Sequence, residues 1–234
     1  MHTKIAPSLM NMGLLHVAED LRTLDPYADY YHVDIIDGHY VRNMCLTPHF
    51  IAQIRQATDV PIEAHLYVEG VDELLVRACL DSGAAIVTVP SDDAGRSIHR
   101  LCDFVHGRGA NIGVFVNPYQ SVEEIRPYAE ELDNLIILSV DPGFTGQSFI
   151  PSTMQRITQA ADLRTELSAH FSIAIDGGCN ASNFEKLITA GCDVLNLGRG
   201  LFDNGATLSE AVQNTVRQVH EAELHAALST QINY

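Results

Sequence analysis

At 234 residues and 46% hydrophobic content, the chain is long enough for one closed barrel and apolar enough to bury a sizeable core, which excludes intrinsic disorder. Its 14 Lys+Arg against 30 Asp+Glu leave a net charge of −16, which argues against nucleic acid or an anionic membrane surface as the main partner, because both call for basic patches. No apolar stretch approaches the ~18 residues of a membrane span, and the opening MHTKIAPSLM lacks the apolar segment of a signal peptide. Five cysteines without a C-x-x-C pair fit reduced thiols, so a cytoplasmic protein is expected. The charge also sets a condition: an acidic protein holds an anionic ligand only through a locally positive site.

Along the chain, short apolar runs rich in β-branched residues alternate with stretches whose apolar residues recur every three to four positions. Strand 5–9 precedes helix 14–24, strand 31–35 helix 47–57, strand 62–66 helix 71–82, and strand 85–89 helix 97–108. Strand 111–116 then precedes helix 122–131, strand 135–140 helix 151–168, strand 171–175 helix 180–190, and strand 194–197 helix 208–228. Most strand runs are nearly continuous in apolar residues, as strands buried on both faces are. Ser121, with Glu123 and Glu124 behind it, marks one helix start and Asn180 another. Gly83, Gly109 and Gly191 each close a helix and lead into a strand. No linker or low-complexity segment interrupts, so one domain is expected over 1–234, with a short C-terminal tail from about residue 229. Eight strands alternating with eight helices predict a parallel α/β fold, and in this length a closed (β/α)8 TIM barrel fits better than an open sheet. In such a barrel the active site lies at the C-terminal ends of the strands.

Polar residues at those ends are few and of one kind. The second strand reads Tyr31-His32-Val33-Asp34-Ile35-Ile36-Asp37, and alternation turns His32 and Asp34 to the same, inward face. The third ends Glu63-Ala64-His65-Leu66 and supplies a second imidazole; the seventh ends Ile175-Asp176-Gly177-Gly178 and supplies a second carboxylate. An inward charge costs several kcal/mol unless it is paired or bound to a metal. Any one of these residues alone reads more simply as a hydrogen-bonded structural group. Four converging from three strands point instead to a site for one divalent metal ion, such as Zn, Mn, Fe or Co, with room for substrate oxygens.

Glycine is the second signal. Asp141-Pro142-Gly143-Phe144-Thr145-Gly146-Gln147 follows the sixth strand, Gly177-Gly178 the seventh and Gly198-Arg199-Gly200 the eighth. One such loop alone reads as a turn. Three at the last strands point to a phosphate, which backbone N–H groups surround where no side chain intervenes. Arg199 adds a guanidinium to that site, or else forms a surface salt bridge with one of the many acidic side chains.

The stretches PSLM at 7–10, HVDIIDGHYVRN at 32–43, AHLYV at 64–68, LSVDPGFTGQSFIP at 138–151 and IDGGCN at 175–180 resemble the ribulose-phosphate 3-epimerase family. The run ADYYHVDIIDGHYV at 28–41 and the ending GRGLFDN at 198–204 resemble most closely its allulose-6-phosphate 3-epimerase branch. The resemblance spans essentially the whole chain. It implies a (β/α)8 barrel of the ribulose-phosphate-binding type, a divalent metal on His32, Asp34, His65 and Asp176, and two-base epimerisation at carbon 3 of a ketose phosphate. Asp34 and Asp176 then serve as the two proton-transfer groups, one on each face of an enediolate. Ser8 matches a serine near the active site, and Gly146, Gly177, Gly178 and Gly198 match phosphate-binding positions; the family also implies a homo-oligomer, dimer or hexamer. Where the family usually has three methionines, this chain has Ile36, Tyr67 and Leu138. Arg42 stands for a usual proline, Pro90 lies near a usual histidine, and Arg199 stands for a usual serine.

Two other functions fit the same barrel. A lyase or decarboxylase of related build resembles a D-x-K-x-x-D pattern on the second strand, but here Asp34 stands where the lysine would be, so no ammonium is offered to a carbanion. A non-catalytic sugar-phosphate binder would be favoured by loss of a base or metal ligand, and none is lost.

Overall fold

A computed structural model describes residues 2–232. Among these, eight strands form one parallel sheet: β1 (Lys4–Pro7), β2 (Tyr31–Ile36), β3 (Ile62–Tyr67), β4 (Ile86–Pro90), β5 (Asn111–Val116), β6 (Asn134–Leu138), β7 (Ser172–Asp176) and β8 (Val194–Leu197). The pairing order β1-β8-β7-β6-β5-β4-β3-β2 leaves β1 and β2 as the seam, and a parallel bridge between Ser8 and His32 joins them. The intervening helices are α1 (Val17–Leu24), α2 (Pro48–Ile54), α3 (Glu73–Asp81), α4 (Ser91–Ala94), α5 (Ile98–His106), α6 (Thr153–Glu166), α7 (Phe184–Thr189), α8 (Arg199–Phe202) and α9 (Leu208–Ile232). The protein is a TIM barrel, as the alternation predicts.

Alternation within each strand builds two cores. Outward residues such as Tyr31, Val33, Leu66, Val87, Ile137 and Leu195 pack under the helices. Inward residues form a second cluster inside the barrel, which includes Ala6, Ile36, Tyr67, Phe115, Leu138 and Val194. Parallel register then puts inward side chains of neighbouring strands level. Asp34 lies against His65, Leu138 against Asp176, and Asp176 against Asn196.

The departures from the expected elements have local causes. Segment Val122–Glu131 has the expected bounds but is a 3-10 helix. Pro127 inside it lacks an N–H and crowds the carbonyl four residues back, so an α-helical ladder does not form; Ser121 and Glu124 close the start with a capping box. Helix α7 begins at Phe184 because Asn180 is used in a turn, its Oδ1 accepting from the Ser182 N–H at 3.0 Å. The four-residue helices α4 and α8 are too short for periodicity to register. Of the tail expected from about 229, residues 229–232 are helical and 233–234 lie outside the described residues. Among the described residues no helix is long and apolar enough to cross a membrane.

One buried cation fixes the strand ends near the mouth. Arg156 of α6 is 7% exposed, and its guanidinium donates to the carbonyls of Leu138 (2.9 Å), Val116 (3.1 Å) and Asn117 (2.6 Å). It thereby ties the C-terminal ends of β5 and β6 together. Arg156→Met removes these donors and leaves buried carbonyls unpaired, so unfolding in urea should show a loss of about 2–4 kcal/mol. An unchanged midpoint and slope would show that those carbonyls do not depend on Arg156.

Candidate active site

The inward faces of β2, β3 and β7 bring four donors together. His32 Nε2 lies 3.2 Å from Asp34 Oδ1 and 2.9 Å from His65 Nδ1. Asp176 Oδ2 lies 3.9 Å from His32 Nε2 and 3.8 Å from His65 Nδ1, and His65 Nδ1 lies 3.7 Å from Asp34 Oδ1. All four ligand atoms fall within 4.8 Å of one another. Donors about 2.1 Å from a shared ion stand about 3 Å apart when adjacent and about 4.2 Å apart when opposite. The separations of 2.9–3.9 Å lie roughly between those limits, and two imidazoles with two carboxylates form a donor set suited to a first-row divalent cation.

A second layer holds the first. Glu63 is fully buried and its Oε2 lies 2.6 Å from His32 Nδ1. A carboxylate only accepts, so Nδ1 carries the proton and Nε2 turns toward the cluster. Glu63 Oε1 in turn accepts from Thr88 Oγ1 at 2.6 Å and Asn134 Nδ2 at 2.9 Å. Ser8 Oγ donates to Asp34 Oδ2 and the Tyr67 hydroxyl to Asp176 Oδ2, both at 3.0 Å.

The electrostatics favour positive charge at the centre. Burial opposes charge on His32, but Asp34 and Glu63 outweigh it and hold the imidazole well above its ordinary value, a demand that a cation meets as a proton does. His65 goes the other way: burial, then the neighbouring His32, pull it down to about 3 and keep its ring neutral. Burial, reinforced by Asp34, pushes Asp176 up to about 6, whereas His32 overcomes burial at Asp34 and holds that carboxyl below its usual range. Carboxyls pushed apart in this way are suited to complementary proton-transfer roles.

Above the cluster opens a cavity of about 350 Å³ lined by Ser8, Asp34, Ile36, Tyr67 and Asp176. The loops after β6, β7 and β8 complete its wall with Gly143, Gly146, Gly177, Gly178, Gly198 and Arg199. Gly177 is required by its backbone conformation, and Gly198 leaves room for the Asn11 side chain. Gly177 has φ +93°, and a Cβ there would lie 2.5 Å from Val140 Cγ2; a Cβ on Gly198 would lie 2.5 Å from Asn11 Nδ2. Of its two sequence readings, Arg199 shows the salt bridge, at the rim of the cavity. Its Nε donates to Asp203 Oδ2 at 2.8 Å, while NH1 lies 2.8 Å from where a Cβ on Gly146 would stand, so the guanidinium spans the rim from α8 to the loop after β6.

Of the residues that the sequence singled out, Ser8, Asp34, Asp176, Gly143, Gly146, Gly177, Gly178, Gly198 and Arg199 line one cavity, whereas His32 and His65 are wholly buried beneath it. Glu63 was passed over, although the pattern Glu63-x-His65 turns it inward just as His32-x-Asp34 does its own pair. The reach of the Tyr67 hydroxyl to Asp176 has no local signature.

Residues 4–202 match the profile of the Ribulose-phosphate 3 epimerase family. Curated relatives named ribulose-phosphate 3-epimerase include that of Aquifex aeolicus, 32% identical over 199 residues (85% of this chain, 89% of the relative). That of Helicobacter pylori is 29% identical over 201 residues (86% and 91%), and that of Escherichia coli K12 is 30% identical over 201 residues (85% and 88%). Among solved structures, a mutant tryptophan synthase alpha-subunit from Pyrococcus furiosus superposes with a TM-score of 0.66 at 16% identity, covering 95% of this chain and 99% of that one. That likeness shows the barrel alone. The chain belongs to the ribulose-phosphate 3-epimerase family, and with it to the isomerases that epimerise sugar phosphates.

Metal analysis of purified protein checks the cluster. His32→Ala and His65→Ala should each lose the bound divalent ion, and Glu63→Gln should weaken binding by about 10–100-fold by releasing the His32 ring. Equal metal content and affinity in all four proteins would remove the site.

Proposed function

We propose that this member of the family epimerises a ketose phosphate at carbon 3, with Asp34 and Asp176 as the two proton-transfer groups. One observation carries the reading: two inward carboxylates, from β2 and β7, line one cavity and share one donor cluster. One carboxylate takes the C3 proton; the C3–H pair enters the C2–C3 bond and the carbonyl oxygen gains the negative charge, giving an enediolate. The other carboxyl returns a proton to the opposite face and the pair reverts to C3–H, so the step is redox-neutral. A divalent cation (Zn, Mn, Fe or Co) held by His32, Asp34, His65 and Asp176 supplies Lewis-acid stabilisation of the charge on the substrate oxygens. His65 is wholly buried and absent from the cavity wall, so the expected substrate contact does not hold and its part in this reading is that of a ligand, while the Ser8 hydroxyl holds the Asp34 carboxylate. Buried Ile36, Tyr67 and Leu138 shield the reacting centre from water.

Gly143, Gly146, Gly177, Gly178, Gly198 and Arg199 form the phosphate end of this reading. A cavity of about 350 Å³ suits one phosphorylated monosaccharide. The names of the relatives support the ribulose 5-phosphate/xylulose 5-phosphate pair; the sequence of 28–41 and 198–204 supports allulose 6-phosphate/fructose 6-phosphate. A cytoplasmic homo-oligomer, dimer or hexamer, belongs to the same reading and rests on the family and the free thiols.

Following C3 exchange in deuterium oxide with both ketose-phosphate pairs tests the reaction and selects the substrate. At saturating metal, Asp34→Asn and Asp176→Asn should each lower turnover in both directions by roughly 10²–10⁴-fold. Near-normal turnover in either variant would take that residue out of the role. Arg199→Ser should weaken the phosphorylated ketose about tenfold, one decade being ~1.4 kcal/mol, and leave the free sugar nearly unaffected. Equal binding of both in variant and parent would confine Arg199 to its ion pair with Asp203.

A further inference from the structure

Tyr67 is the last residue of β3, two positions beyond His65, and therefore turns into the barrel. Its ring centroid lies 4.3 Å from that of His65 and 5.0 Å from that of Phe115, and the side chain is 4% exposed. From there the hydroxyl reaches across the mouth to β7 and donates to Asp176 Oδ2 at 3.0 Å. Among the described residues this is the one hydrogen bond recorded for the Asp176 side chain. The same Oδ2 faces His32 and His65, so Oδ1 is the oxygen left to the cavity. The other carboxylate is held in a matching way, with Ser8 Oγ on Asp34 Oδ2 at 3.0 Å. Each inward carboxylate thus has one hydroxyl donor, supplied by another strand or its end.

We infer that Tyr67 is a positioning residue for Asp176: its O–H fixes Oδ2 at the cluster and so aims Oδ1 at the reacting carbon. The inference rests on the two-carboxylate reading above. Tyr67 keeps its own proton throughout. Asp176 Oδ1 takes the C3 proton of one epimer as the C3–H pair enters the enediolate, and gives a proton back on that face in the reverse direction. Without the phenol hydroxyl the carboxylate rotates about its terminal bond, and proton transfer slows on that face alone.

The test uses full-length, metal-saturated protein in deuterium oxide, at low conversion, from each epimer of the better ketose-phosphate pair. Deuterium at C3 is measured in recovered substrate and in product. Asp176→Asn assigns the faces, because it should exchange one epimer without inverting it and leave the other untouched. If it instead treats both epimers alike, the two-carboxylate reading fails, and this inference with it. In Tyr67→Phe, which retains the ring packing, the ratio of substrate label to product label should rise about tenfold from the epimer that Asp34 deprotonates. From the other epimer the same ratio should fall. Metal titration gives a readout that needs no turnover: removing the partner of a ligating oxygen should weaken binding about tenfold. Ratios that stay constant or move in the same direction for both epimers, or an unchanged metal affinity, would overturn the positioning role while leaving the reaction itself intact.

Discussion

Three carboxylates and two imidazoles inside a barrel core form the constraint on which the rest depends. Glu63, His32 and His65 are wholly buried, and Asp34 nearly so. Charges in such a place are stable only when paired and hydrogen-bonded. The demand spreads from strand to strand. Glu63 needs Thr88 from β4 and Asn134 from β6, and these two reach it across β5 only because Gly113 stands between them. A Cβ on Gly113 would lie 2.7 Å from Thr88 Oγ1 and 3.0 Å from Asn134 Cβ. A glycine on the far side of the barrel thus belongs to the support of His32. With three carboxylates ionised and both imidazoles neutral, as metal ligands are, the cluster is negative and suited to a divalent cation.

The same balance explains how a chain of net charge −16 accommodates a phosphate. Exposed acidic side chains act at the mouth only over a Debye length, about 8 Å at physiological ionic strength. The loops after β6, β7 and β8 instead place glycine backbone and the Arg199 guanidinium at the rim. Asp203 pairs with Arg199 at Nε on the exposed rim. Acidity at the surface and the proposed phosphate site at the mouth are compatible because the second is local.

Sequence alone carries the parts that alternation and periodicity encode. Strands 111–116 and 194–197 coincide with β5 and β8 residue for residue, and the inward pairs His32/Asp34 and Asp176 follow from two-residue alternation at strand ends. What escaped depends on geometry between distant residues. The 3-10 form of Val122–Glu131 turns on a single proline within an otherwise helical pattern. Gly113 acquires meaning only from the register of three strands, and the bond from Tyr67 to Asp176 spans 109 positions. Glu63 is the exception: it was legible by the same alternation that exposed His65.

The aromatic side chains extend the cluster's rigidity to the rim. His65 packs on Tyr67 and Phe115, and both rings meet Tyr40, in the loop after β2, at 6.3 and 5.8 Å. Tyr40 donates to Asp92 at 3.0 Å and accepts from Asn117 Nδ2 at 2.6 Å, which ties the loops after β2, β4 and β5. Asn43 Nδ2 donates to the Gly143 carbonyl at 2.6 Å and adds the loop after β6. Proton-transfer chemistry of any kind needs its groups held within a fraction of an ångström, and a mouth whose loops are cross-linked in this way keeps its inward side chains in place. The donor set is fixed by burial and leaves no freedom to vary. The lining that can vary without disturbing Glu63 or the four donors therefore narrows to side chains such as Ile36, which is buried at the cavity wall.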